Sequence, residues 1–196
     1  MDHASVAGRL ARELTDQELE RIFPELPAGT VRDLLQDTGN LTDTSSNTAK
    51  PVTQTSVQSD TCSLYTDGAS RGNPGLAGAG MVLFDAEGRE IASESAFLGR
   101  CTNNVAEYRA LLLGLELARQ TGCEKLKVYL DSELIVRQLT GIYRVKNAAL
   151  KPLYEQSRQL LQSFAEFSVS HVVRAMNSRA DELANQGIDN RPDSVK

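Results

Sequence analysis

The stretch NNVAEYRALLLGLELARQT, residues 103–121, constrains the fold more than any other part of the chain. Its apolar residues cover most of the circumference of a helix over 104–121 instead of a single stripe, and a helix of that kind has to be buried on several sides. Gly122 supplies the stop. The segments around it read as the sheet such a helix needs. Ser63–Asp67, Ala77–Phe84 and Arg89–Phe97 are strand-like, with Asp85-Ala-Glu-Gly88 a turn between the last two. Leu126–Leu130 is a fourth strand, Ser132–Thr140 a helix stopped by Gly141, Leu150–Phe164 a helix starting near Pro152, Phe167–Val173 a fifth strand, and Ser178–Gln186 a last helix ending at Gly187. The order βββαβααβα, a meander followed by β-α-β crossovers, predicts an α/β fold: a five-stranded mixed sheet flanked by helices.

The N-terminal third has a different texture. Leu10, Leu14, Leu19, Ile22 and Phe23 recur at helical spacing, Thr15 and Glu18 form a capping box, and Pro24 and Pro27 interrupt the pattern before Thr30–Leu35 resumes it. Residues 1–36 thus read as a small helical segment, too small for a core of its own. Residues 37–62 are Ser/Thr-rich with few large apolar side chains, a flexible linker. The main domain spans 63–187, and 188–196 is a tail.

Charge follows the same division. Residues 1–60 hold 10 acidic and 5 basic side chains, whereas 61–196 hold 16 of each, so the net charge of −5 belongs to the N-terminal region. The main domain is neutral and free to carry a basic face. No apolar run approaches the ~20 residues of a membrane span, and the first residues lack a basic start followed by an apolar core. Cys62, Cys101 and Cys123 are odd in number, which rules out a full disulfide framework and favours reduced thiols and a cytoplasmic setting.

Four carboxylates look out of place in this pattern. Asp67 ends the first strand, Asp131 ends the fourth, and Asp181 lies in the first turn of the last helix. Glu107 shares a small, polar stripe of the apolar helix with Asn103, Ala110 and Gly114. Each has an ordinary alternative. Asp181 complements a helix dipole, Asp131 starts a helix, Glu107 lies on an exposed stripe, and Asp67 with Gly68 makes a turn. Strand ends are, however, where open α/β sheets gather their ligands. Carboxylates crowded there repel one another unless hard divalent cations, Mg²⁺ or Mn²⁺, join them.

The stretches YTDGASRGNPG (65–75), TNNVAEYRALLLGLELA (102–118), YLDSELIVRQLTG (129–141) and NSRADELAN (177–185) together resemble type 1 ribonuclease H over nearly all of 63–187. The resemblance implies a ribonuclease H-like fold and two Mg²⁺ or Mn²⁺ ions per site, held by Asp67, Glu107, Asp131 and Asp181. It implies hydrolysis of the RNA strand of RNA/DNA hybrids to 5′-phosphate and 3′-hydroxyl ends. By the same resemblance, substrate contacts fall on Gly68, Ala69, Ser70, Gly72 and Asn73, on Thr102, Asn103 and Asn104, and on Glu133, Lys146, Arg174 and Asn177. The glycines are expected to let a flexible loop approach the minor groove, where the 2′-hydroxyl tells RNA from DNA.

Three departures qualify the match. A Gly-rich loop carrying a histidine is replaced by Arg174-Ala-Met-Asn177, with Arg174 a partial substitute and His171 expected to be structural. The shortened form is shared with members that accept double-stranded RNA, a further candidate substrate. A basic handle is replaced by Arg144, Lys146 and Lys151, and the acidic residues 1–40, with Phe23 the sole aromatic, do not look like a hybrid-binding module. That segment is expected to contact protein or to tether the domain. The alternative function is a non-catalytic nucleic-acid-binding or scaffold protein of the same fold. Against it, unused clustered carboxylates are costly.

Overall fold

The computed structural model describes residues 15–22, 29, 31 and 61–191. The remainder of the expected N-terminal helical segment, residues 37–60 of the linker and residues 192–196 lie outside the described residues. Helix α1 (Asp16–Ile22) opens on the expected capping box. The Thr15 amide donates to Glu18 Oε2 at 2.8 Å and the Glu18 amide to Thr15 Oγ1 at 3.3 Å. Leu19 and Val31 are buried in the same contiguous cluster as the core of the main domain. Leu19 and Val31 therefore pack on that domain.

Strands β1 (Thr61–Gly72), β2 (Gly75–Phe84) and β3 (Glu90–Cys101) form the meander. Helix α2 (Asn103–Gln120) crosses to β4 (Lys125–Leu130). Helices α3 (Glu133–Leu139) and α4 (Lys151–Leu161) lead to β5 (Glu166–His171), and a 3₁₀ turn (Arg174–Asn177) precedes helix α5 (Ser178–Asp189). The sheet order is β3-β2-β1-β4-β5, with β4 parallel to both neighbours and the meander antiparallel. The first strand thus begins at Thr61 and the last helix ends at Asp189. No described helix is long and apolar enough to cross a membrane.

Helix α2 lies between β1 and β2 on one side and α4 on the other, which is why it is apolar nearly all round. Leu111, Leu112, Leu113, Leu115 and Leu117 are fully buried, each removing apolar surface that stabilises by roughly 1.5–3 kcal/mol. On the opposite face α5 packs over β1, β2 and β3. That contact requires Gly80, where a Cβ would lie 2.0 Å from the Ala180 carbonyl oxygen.

Two expectations are corrected. Cys62 and Cys123 form a disulfide, Cα–Cα 6.0 Å, which withdraws the cysteine argument for a reducing compartment. An odd count still allows one pair. The parallel register sets Cys62 beside Leu126, so the turn before β4 brings Cys123 within reach. Cys101 is buried outside the disulfide. Second, Gly68–Gly72 are not a flexible loop. They continue β1 and pair with β2 as far as Gly72 opposite Gly75, leaving Asn73–Pro74, joined by a cis peptide, as the turn.

Candidate active site

The parallel pairing of β1 with β4 ends at Tyr65 opposite Tyr129. Two residues further on, Asp67, still within β1, and Asp131, just past the end of β4, stand side by side. Glu107 joins them from α2. A Cβ at residue 68 would lie 2.1 Å from the Glu107 nitrogen, so only glycine lets the helix sit this close to β1. Gly68 is therefore buried packing against α2. Carboxylate oxygens of Asp67, Glu107 and Asp131 lie within 4.8 Å of one another.

Asp181 stands beside this trio on α5 and is ion-paired with Arg174. Arg174, 77% exposed, sets its guanidinium over the acidic group. Burial first, then Asp131 and Asp181, push Asp67 up to about 7, with Arg174 opposing. Burial and the charges of Asp67 and Asp131 hold Glu107 well above the usual carboxylate range. Both residues are nearly covered, at 5% and 8% exposed. Two buried carboxylates that resist ionising, with the half-buried Asp131 completing an oxygen-only trio, fit a hard divalent cation, whose charge removes the repulsion.

The other expected site residues divide into struts and exposed groups. Asn177 is fully buried, its Nδ2 donating to the Thr66 carbonyl at 3.0 Å and to Asp131 Oδ1 at 3.3 Å. It ties β1, Asp131 and the start of α5 together. The Ser70 hydroxyl is spent within the hairpin, on the carbonyls of Gly72 at 2.6 Å or Cys101 at 2.9 Å. Asn73 Oδ1 accepts from the Asn103 amide at 3.2 Å, fixing the hairpin tip to the first residue of α2. Asn103 Nδ2 in turn reaches Glu107 Oε1 at 3.5 Å. The N-cap position belongs to Thr102, whose side chain makes no capping bond. Ala69 is half-buried, while Gly72, Asn104, Glu133 and Lys146 are exposed. Glu133 is paired with Arg137 at 2.6 Å, and that guanidinium lies 5.1 Å over the Tyr143 ring.

His171, expected to be structural, reaches the backbone beside the acidic group. It is exposed, and its Nε2 donates to the Asp131 carbonyl at 3.2 Å. The register of β4 and β5, which pairs Leu130 with His171, is the signal that places it one step from Asp131.

The comparisons agree with this geometry. Residues 65–187, more than half of the chain, match the family model described as reverse transcriptase-like. The chain is 44% identical over 125 residues to ribonuclease HI of Halobacterium salinarum, 64% of this chain and 63% of that protein. It is 34% identical over 143 residues to ribonuclease H of Roseobacter denitrificans, covering 93% of it. It spans 35% of bifunctional protein Rv2228c of Mycobacterium tuberculosis, at 44% identity. Among solved structures, RNase H1 of Halobacterium salinarum superposes with TM-score 0.66 at 42% identity, over 67% of this chain and 99% of that one. LC11-RNase H1, solved in complex with an RNA/DNA hybrid, gives 0.63 at 41% identity, over 65% and 96%. With the fold, the acidic cluster and these matches in agreement, the chain belongs to the type 1 ribonuclease H family.

Proposed function

We propose that the chain is a metal-dependent endoribonuclease that hydrolyses the RNA strand of RNA/DNA hybrids, leaving 5′-phosphate and 3′-hydroxyl ends. The observation that carries the reading is the cluster of Asp67 on β1, Glu107 on α2 and Asp131 just past β4, the first two buried and the third half-buried. These residues, with Asp181 as a fourth donor once freed from Arg174, would hold Mg²⁺ or Mn²⁺, two ions when substrate is present. Such ions, when bound, supply a water acidic enough to attack phosphorus and offset charge on the leaving oxygen.

The chain's own residues do the rest. Asn177 fixes Asp131 to β1, so the two aspartates keep their separation without substrate. Arg174, exposed at the mouth, meets the scissile phosphate and exchanges its bond to Asp181 for one to a phosphate oxygen. The rim of exposed Gly72, Asn73 and Asn104, with the half-buried Thr102, offers amides and carboxamides to the 2′-hydroxyls that distinguish the RNA strand. Glu133 and Lys146 flank the α3 side. The catalytic unit is residues 61–189, with the acidic segment before it an accessory part.

The test is gel cleavage of end-labelled RNA/DNA hybrid, double-stranded RNA and double-stranded DNA, each with Mg²⁺, Mn²⁺ or chelator. Internal cuts confined to the RNA strand of the hybrid, lost with chelator, are expected. Equal cutting of double-stranded RNA would replace the hybrid-specific reading with a broader one. No cleavage with either ion, alongside intact hybrid binding, would favour the scaffold alternative.

A further inference from the structure

The sheet is covered unequally. Tyr65 and Asp67 share the α5 face with their register partners Val82 and Gly80. Val82, Ala180 and Leu183 form a small buried cluster there, edged by the half-buried Tyr65 and Phe84. Beyond that edge the same face continues onto β4 and β5. Lys127 stands beside Ser63, Tyr129 beside Tyr65, and Ser168 and Ser170 beside Lys127 and Tyr129. Lys125, Lys127, Ser168 and Ser170 are exposed, while Leu126, Val128 and Leu130 on the opposite face are buried.

This open half carries an aromatic row. Tyr129 stacks on Tyr65 with centroids 4.8 Å apart and planes 24° from parallel. Tyr65 meets Phe84 edge-on at 5.6 Å. The β5 neighbours of Tyr129 are serines, too short to cover the outer face of its ring. A cavity of about 340 Å³, lined in part by Ser63, Tyr65, Phe84, Met176 and Arg179, adjoins the row. Tyr65 and Tyr129 lie two residues before Asp67 and Asp131 on the same strands and the same face, about 7 Å away along the chain. From Asp131 back through Tyr129 and Lys127 to Lys125 is roughly 20 Å. The row therefore runs directly out of the catalytic cleft.

Stacked, half-buried rings followed by two exposed lysines on one strand, Lys127 and Lys125, the latter 3.9 Å from Glu166, suit unpaired bases and their phosphates. We propose that this open half-sheet is a second nucleic-acid subsite, taking a single-stranded extension of the hybrid, with a base stacked on Tyr129 and the backbone following Lys127 and Lys125. The proposal rests on the ribonuclease H reading. The occupant is nucleic acid because the surface is continuous with the cleft that takes the hybrid. The other occupant that charge would permit is the chain's own acidic segment 1–60.

The full chain is assayed on a blunt hybrid and on the same hybrid with a ~8-nucleotide unpaired tail at either end, a length within the range of single-strand sites. A tail at one end is expected to lower KM roughly tenfold, the scale of one stacked base, with kcat unchanged. In Tyr129→Ala and Lys127→Glu the advantage falls within about twofold, while kcat/KM on the blunt hybrid stays that of the wild type. Lys127 is exposed, so its variant carries the test if Tyr129→Ala folds poorly. Anisotropy with the tail oligonucleotide alone gives a readout independent of turnover, so failure of the nuclease reading remains distinguishable. No tail advantage in the wild type together with no oligonucleotide binding, or an advantage that both variants retain, overturns the proposal. Equal losses on blunt and tailed hybrids would assign the face to segment 1–60 and overturn it as well.

Discussion

Removal of the cation should make the protein less stable as pH rises from about 4 to about 7, and Asp67 is one reason. Its carboxyl is raised from 3.8 to about 7 by burial and by Asp131 and Asp181. The folded chain thus holds this proton more tightly than the unfolded chain does. Below pH about 4 the group is protonated in both states and contributes nothing. Between about 4 and 7 the unfolded state ionises freely while the folded state does not, so stability falls, and above about 7 the full penalty of about 4 kcal/mol is present. Glu107 acts in the same direction. A cation bound only by the folded state offsets the loss. The assay is urea unfolding of chelator-treated protein across this window, repeated with excess Mg²⁺ and with Asp67→Asn. The metal-free wild type should lose up to about 4 kcal/mol more than the variant between the two ends of the window, and Mg²⁺ should restore most of it in the wild type alone. Parallel curves for wild type and Asp67→Asn, or stability rising through the window, would refute the reasoning.

Other outcomes follow from single contacts. Asn177→Ala leaves the buried Thr66 carbonyl without its side-chain donor and should cost about 1–3 kcal/mol in chemical denaturation, with a larger fall in kcat than in substrate affinity. Gly68→Ala drives a methyl into the α2 backbone. It should lower Mg²⁺ affinity, read by calorimetry, because Glu107 moves away from Asp67. Reduction and alkylation of Cys62–Cys123, which closes a span of 61 residues, should lower unfolding stability by about 4 kcal/mol on the chain-entropy account.

What was legible in the sequence was what local pattern encodes. The apolar girth of α2 announced a helix buried between a sheet and another helix, and Thr15 with Glu18 announced the start of α1, because a capping box is complete within four residues. The four carboxylates could be singled out because each reads, in sequence, as standing at an element boundary or on an otherwise apolar surface. What depends on register stayed hidden. Gly68–Gly72 read as a loop because glycine is the usual mark of one. Here small residues are needed so that β1 can continue between β2 and α2. Asn177 read as a substrate contact because nothing in its neighbourhood shows that Thr66, 111 residues away, takes its amide. Cys62 and Cys123 meet only because β1 and β4 are parallel neighbours, and His171 reaches Asp131 for the same reason one strand further over.

The most direct test of the account is single-turnover cleavage of an RNA/DNA hybrid by the wild type and by Asp67→Asn, Glu107→Gln and Asp131→Asn, with saturating Mg²⁺ and circular dichroism to confirm folding. If the trio is the catalytic centre, each variant should stay folded and cleave at least about 100–1,000-fold more slowly, the cost of losing one preorganised electrostatic group. A folded variant that cleaves within about tenfold of the wild type would place the chemistry elsewhere.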